Sequence, residues 1–341
     1  QDVQSLVKAL DVLNLSGLSS SLLQAQQSVG MTPEALQSMF RTARKLEQWD
    51  IPVPSTGNND SVTTYKAFQT VHMAVSESTV LNAVNEGLES TMKILVQGEL
   101  SANALHSSLQ TLASLVELDE VLTSRGSPQF EEILSRFRSR SIWMMTGRYV
   151  DTTVHSHDRC LIRASFDDIS QILSCRGTTL STLNQEPRLQ RILHLQPIDT
   201  RIVEVETALL ASTINRSHGA LQESVSLATS MMDLIKPCHD VGVNPEVAIQ
   251  LEAANALWDQ GEMASSVRML QALDNEPSLK RQTIVVERSD LLTKTGYRVS
   301  VARLQGADRV INEYLRPALE ELNGRTHGHV AGQVFHQFAI F

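Results

Sequence analysis

The chain has 341 residues, enough for about two to three ordinary domains or for one solenoid that grows by adding repeats. Its 29 Lys and Arg against 38 Asp and Glu leave a formal charge of −9, which argues against a nucleic-acid grip. An apolar fraction of 42% supports a sizeable core, and aromatics at only 4% leave Leu, Ile, Val, Met and Ala to fill it.

Leu6, Leu10 and Leu13 stand at helical spacing, and this stripe predicts a first helix that Gly17 ends. Thr32, Pro33 and Glu34 read as a helix start with Thr32 as the cap, and Ala35, Met39 and Leu46 line the helix that follows. It runs into Gln48-Trp49-Asp50-Ile51-Pro52. There Pro52 and Pro54 end it, because the residue before a proline is pushed out of the α region. Ser55 to Asp60 form a polar loop. Tyr65, Phe68 and Val75 open the next helix, and Leu81, Val84, Leu88 and Leu95 line another. Beyond Gly98 a long amphipathic helix carries Leu105, Leu109, Leu112, Leu115 and Leu122. Phe130, Ile133, Phe137 and Met144 mark the one after Arg125-Gly126-Ser127-Pro128.

The pattern weakens from Ser141 to Arg163, and Val150 to Asp158 is expected to be a mobile surface loop, since only Val154 offers anything apolar to bury. Helix resumes at Ile169, Ile172 and Leu173, with a polar link at Arg176-Gly177. Two clear stripes follow, one at Ile198, Ile202, Val205 and Leu209, the other at Leu221, Val225, Ala228, Met232 and Ile235, the second ended by Lys236-Pro237.

Asn244 to Asp274 reads as a helix hairpin. Val247, Leu251, Ala254 and Trp258 form one stripe, with Asn244 as N-cap and Pro245 at the first helical position. Gly261 is free to take the left-handed conformation at the turn, and Met263, Val267 and Leu270 form the second stripe. Such a hairpin cannot bury its own apolar face and needs neighbours of its kind. Ile284 and Leu291, then Val310, Tyr314 and Leu322, then Val330, Val334 and Phe338 supply further helices, with a kink or break expected at Pro317. No sustained period-two pattern appears, so the fold class is all-α: a curved α-solenoid of tetratricopeptide/HEAT-like antiparallel hairpins. Residues 1–150 form its N-terminal repeats, 151–196 a variable connecting region, and 197–341 its C-terminal repeats, with both ends expected to continue in a longer polypeptide.

Candidate chemistry is thin. Cys160, Cys175 and Cys238 are an odd, sparse set that fits a reducing compartment, and sequons at Asn14, Asn59 and Asn215 carry little weight without a secretory signal. No run of about 18 apolar residues predicts a membrane span. His155, His157 and Cys160 could hold zinc through a loop, but a structural site needs a fourth ligand, and no bound metal is expected. Phosphate-cradling motifs and a nucleophile elbow are missing, so no catalytic or cofactor-binding residue is assigned. Arg136, Arg138, Arg140 and Arg148, like the carboxylate pairs Glu204/Glu206 and Glu320/Glu321, read as solvated helix faces. Trp49, Trp143, Leu251, Trp258, Gly261 and Leu270 are the packing residues on which the hairpins are expected to depend.

The small-residue helix, the Trp258-to-Glu262 turn and the Val267/Leu270 helix resemble a tetratricopeptide-type repeat. More narrowly, ALWDQGEMASSVRML is similar to repeats of the FAT domain, the scaffold ahead of the kinase in phosphatidylinositol-3-kinase-related kinases. An ordered series extends that resemblance over most of the chain: the leucine stripe from Leu6 to Leu13, the Trp49-Asp50 stop, and the leucine-acidic helix from Leu112 to Leu122. Phe137 to Trp143, the hairpin from Leu251 to Leu270, and a closing helix at Ile311 to Leu322 complete it. The series resembles the ATM-type checkpoint kinases, including the fungal telomere-maintenance branch; residues 150–196 match nothing in it.

The resemblance implies a scaffold without catalytic residues of its own, in a nuclear serine/threonine kinase that uses ATP and Mg, responds to DNA double-strand breaks and maintains telomeres. Implied partners are the kinase domain of the same polypeptide, a second copy in a homodimer, and a break-sensing complex. Neither nucleic acid nor membrane is expected to touch this segment directly. The rival from another class is a free-standing tetratricopeptide adaptor that binds a peptide in its groove. Such grooves carry recurrent Lys and Asn, which this chain lacks.

Overall fold

A computed structural model describes residues 2–13, 15–26, 31–54, 59–97, 102–146, 166–274 and 277–340. The described residues are 81% helical, and no strand occurs among them. Two compact units divide it, residues 1–207 and 208–341.

The first unit holds α1 (Asp2–Val12), α2 (Ser16–Gln26), α3 (Pro33–Lys45), α4 (Asp60–Met73), α5 (Glu77–Gln97), α6 (Ala102–Thr123), α7 (Ser127–Thr146), α8 (Phe166–Gln185), α9 (Pro187–Ile192) and the start of α10 (Pro197–Ser217). From α1 to α6 each helix packs on the next, and α8 returns to pack on α6 and α3. Thr32 caps α3 by accepting a hydrogen bond from the Ala35 amide, and Asn59 caps α4 through the Ser61 and Val62 amides. The core is formed by Phe40, Tyr65, Phe68, Leu115, Leu118 and Phe137.

The second unit holds the rest of α10, then α11 (Leu221–Asp240), α12 (Glu246–Asp259), α13 (Met263–Asp274), a 3-10 turn (Pro277–Lys280), α14 (Arg288–Val301), α15 (Ala307–Val310), a π-helical turn (Ile311–Leu315), α16 (Arg316–Glu321) and α17 (His329–Ile340). Val247, Leu251, Ala254, Leu270, Leu273 and Leu291 form one core cluster. Val267, Val299, Val310 and Leu315 form a second, and Leu292, Ala318, Leu322, Ala331 and Val334 a third. Each hairpin therefore buries its stripe only against the next, as a repeat stack requires.

Several local expectations shift. In α1 the buried register runs through Val7, while Leu6 and Leu13 face solvent. Gly17 does not end that helix; it lies inside α2. Val75 is exposed in the link between α4 and α5. Pro237 does not stop α11, which runs on to Asp240, because buried Cys238 and the left-handed Gly242 stop hold the last turn. Asn244 pairs with Thr283 across a loop through two backbone-mediated bonds, and the cap position of α12 falls on Pro245. The break foreseen at Pro317 takes the form of the π turn just before it, which accommodates a residue with no amide hydrogen to donate.

Candidate functional site

Three polar nodes hold the helices in register. The first is the Trp49 turn. The α3 helix stops at Lys45, and Glu47 adopts a left-handed φ of 54°, so the chain reverses without a glycine. Trp49 is 8% exposed and stacks parallel to Phe68, with centroids 6.3 Å apart, while His72 lies 5.6 Å away over the same ring. The backbone of this turn is tied to α4: the Tyr65 hydroxyl donates to the Gln48 carbonyl at 2.6 Å, and the Gln69 amide donates to the Trp49 carbonyl at 2.7 Å. A cleft of about 380 Å³ lies beside it, lined by Glu47, Trp49, His72, Thr182 and Glu186.

The second node is ionic. Arg176 has no exposed side-chain surface, and it donates from Nε and Nη2 to the two oxygens of Glu117 at 2.9 and 2.7 Å. Its guanidinium also sits 3.9 Å over the Phe137 ring. Arg140 reaches the same carboxylate at 2.9 Å and Glu120 at 3.0 Å, which joins α6, α7 and α8 through charge-assisted bonds. The expected polar link at Arg176-Gly177 is thus wrong. The helix passes straight through, because Glu117 on α6 supplies the counter-charge that lets an arginine be buried. Likewise Glu204 is not solvated. It is buried, accepts from Asn184 at 3.0 Å and Arg201 at 2.5 Å, and burial pushes its carboxyl up to about 7 against the pull of Arg201.

The third node ties the α12–α13 hairpin to its neighbours. Arg216 on α10 donates to Glu252 at 3.0 and 3.1 Å and to Asp259 at 2.9 Å. Asn255 donates to Glu252 at 3.0 Å and accepts from Arg298 at 2.6 Å. Arg298, from α14, also donates to the Ala254 carbonyl and to Ser266, and its guanidinium lies 5.2 Å over the Trp258 ring. Burial lowers its pKa to about 10.

The named packing residues fall as follows. Leu251 and Leu270 are buried in one cluster, and Gly261 makes the turn at φ 91°. Trp258 is half-buried, with one face on the Val267–Val299 cluster and Arg298 above it. Trp143 lies on α7, but its side chain, like residues 147–165 with His155, His157 and Cys160, is outside the described residues. Sequence reasoning missed the buried arginines, because a charged residue on a helix normally reads as solvated. Their one legible signal is that Arg176 falls at helical spacing from Ile169, Ile172, Leu173 and Leu180, on the apolar stripe of its helix. Among the described residues, no group of three or more His, Cys, Asp and Glu is placed to hold a metal, and no helix is long and apolar enough to cross a membrane.

No protein-family model matches the chain. The full 341 residues are 46% identical to the serine/threonine-protein kinase tel1 of Neurospora crassa, of which they span 11%. They are 42% identical over 340 residues to TEL1 of Gibberella zeae, again spanning 11% of it. Among solved structures, the whole chain superposes on FAT and kinase domain of CtTel1 with a TM-score of 0.87 at 45% identity, covering 22% of that chain. The chain belongs to the FAT region of the Tel1, ATM-type kinase family. It also superposes on the complete CtTel1 dimer with C2 symmetry at a TM-score of 0.90 and 46% identity, covering 12% of that chain. This chain therefore spans about a tenth of the length of the curated relatives in its family, and those relatives are serine/threonine kinases. The three nodes are the polar framework with which this member of the family holds its helix stack.

Proposed function

We propose that this segment is the scaffold that positions and regulates the kinase domain of a serine/threonine kinase of the ATM type. The carrying observation is the match of the entire chain to a structure in which FAT and kinase domain of CtTel1 occur together. In this reading the work of the segment is positional. Desolvated arginine nodes fix helix registers rigidly, so a displacement at one hairpin is passed to the next. The kinase lobes of the same polypeptide would receive it, and they would use ATP and Mg for phosphoryl transfer. A second copy of the parent is the further partner, in keeping with the likeness to a C2 dimer. The parent would act in the nucleus, in the response to double-strand breaks and in telomere maintenance, through a break-sensing complex.

Cross-linking mass spectrometry on the full-length kinase tests this. Links are expected from the segment to the kinase lobes and between the two copies. A kinase whose lobes form no link to this segment, and whose activity survives deletion of residues 246–274, would refute the proposal.

A further inference from the structure

The cleft beside the Trp49 turn has the charge and size of a site for a basic side chain. Its volume of about 380 Å³ is far more than one ion fills. Two carboxylates line it, from Glu47 just after α3 and from Glu186 between α8 and α9, and among the described residues no lysine or arginine does. Glu47 pairs with no cation among the described residues. Glu186 takes the N-cap position of α9 but its side chain caps nothing, and its approach to His72 is long, at 3.9 Å. The cations around the cleft are engaged elsewhere. Arg201 binds Glu204 at 2.5 Å, and Arg188 donates to the His72 carbonyl at 2.5 Å. Burial, with a smaller push from the charge of Glu47, raises the carboxyl of Glu204, so Glu47 adds negative charge where a carboxylate already lies.

A buried hydroxyl lines the same cleft. Thr182 is 4% exposed, and its Oγ1 has no hydrogen-bond partner among the described residues. A buried hydroxyl left unpaired is costly, so it marks a place where a donor is missing. Thr182 stands one turn before Glu186, which puts hydroxyl and carboxylate on one wall with Glu47 apart from them. Separate acceptors of this kind suit a guanidinium better than an ammonium. Its five N–H donors lie in one planar fork, and its flat face stacks on an aromatic ring. The imidazole of His72 offers such a ring, held against Trp49 with centroids 5.6 Å apart. The apolar stem of an arginine would lie along Leu46.

We propose that this cleft captures the side chain of one arginine from a protein partner, its guanidinium held by Glu47 and Glu186 against the His72 ring, with Thr182 as a further acceptor. The site stands on this chain's own residues, whether or not the segment positions a kinase.

The test is fluorine NMR on the full chain carrying 5-fluorotryptophan, with the Trp49 signal identified by its loss in Trp49→Phe. The probe is arginine capped as N-acetyl methylamide, and the neutral isostere is citrulline capped in the same way. Capped arginine is expected to shift the Trp49 signal saturably in the millimolar range, and capped citrulline to leave it in place. Glu47→Gln and Glu186→Gln should each weaken binding about threefold to fivefold, and together about tenfold or more. The isosteric Thr182→Val should weaken it without lowering the melting temperature, since it also removes the unpaired hydroxyl. Free arginine, whose own carboxylate would meet the acidic walls, should bind more weakly than the capped form. No shift of the unaltered chain with capped arginine, an equal shift with capped citrulline, or undiminished binding by the double variant would overturn the proposal. Capped lysine binding as well as capped arginine would overturn the guanidinium assignment, and tighter binding of free arginine would overturn the protein source.

Discussion

Replacing Glu117 with alanine removes the carboxylate that accepts two bonds from Arg176 and one from Arg140. Arg176 has no exposed side-chain surface, so nothing replaces the lost charge; its Nη1 already has no partner, and only the Phe137 face remains. Breaking a buried pair by deleting one member costs about 3–5 kcal/mol, because it strands the other charge. For a unit of about 200 residues, each kcal/mol lowers the melting temperature by roughly 2–4 °C, so a fall of roughly 6–20 °C is expected in the transition of the first unit. The second half of the experiment separates a stranded charge from lost packing. Combining Glu117→Leu with Arg176→Met replaces both charges by apolar groups of similar reach. That change is expected to restore most of the loss, since buried pairs exchanged together for apolar residues are often neutral or better. Hydrogen exchange of the α6 and α8 amides would locate the effect. A single variant that loses less than about 1 kcal/mol, or a double variant as unstable as the two singles combined, would refute the reasoning.

Glu204 predicts a pH dependence. Burial raises its carboxyl from 4.5 to about 7, so the folded state holds a proton that the unfolded state has released over that interval. Its contribution is present in full below about pH 4.5 and is lost as pH rises through 7. It amounts to about 3 kcal/mol. Glu204→Gln should flatten the stability profile between those limits, and a titration of melting temperature identical to wild type would contradict this. Trp258→Ala should cost about 2 kcal/mol, below the 3–5 kcal/mol typical of a fully buried aromatic because Trp258 is only half-buried. In the parent kinase it should also lower activity by loosening the hairpin, and urea unfolding together with a kinase assay checks both halves. Gly296→Ala would set a methyl 3.0 Å from the Tyr314 Cβ beside the π turn. Overpacking there should cost about 1–3 kcal/mol, and a variant as stable as wild type would show that the turn yields freely.

Read alone, the sequence carried the fold class and most of the stripes. Apolar spacing at 3.6 residues is a property of neighbours along the chain, so Leu251 and Ala254 or Phe130 and Phe137 could be assigned to buried faces without knowing their partners. Turn chemistry was local too: Thr32 before Pro33, and Gly261 between two stripes, act through backbone conformation a few residues away. The resemblance of the Trp49-Asp50 stop and the Trp258 hairpin to FAT repeats rested on similarly short signals. Tertiary structure alone decided which charges were buried. Glu117 and Arg176 lie 59 positions apart, Arg216 and Glu252 are 36 apart, and Asn255 and Arg298 are 43 apart. An arginine with no visible partner is expected in water, because burying an unpaired cation is prohibitive. Its burial becomes favourable only when folding brings the distant carboxylate or carbonyl to it, and no spacing along the chain encodes that meeting.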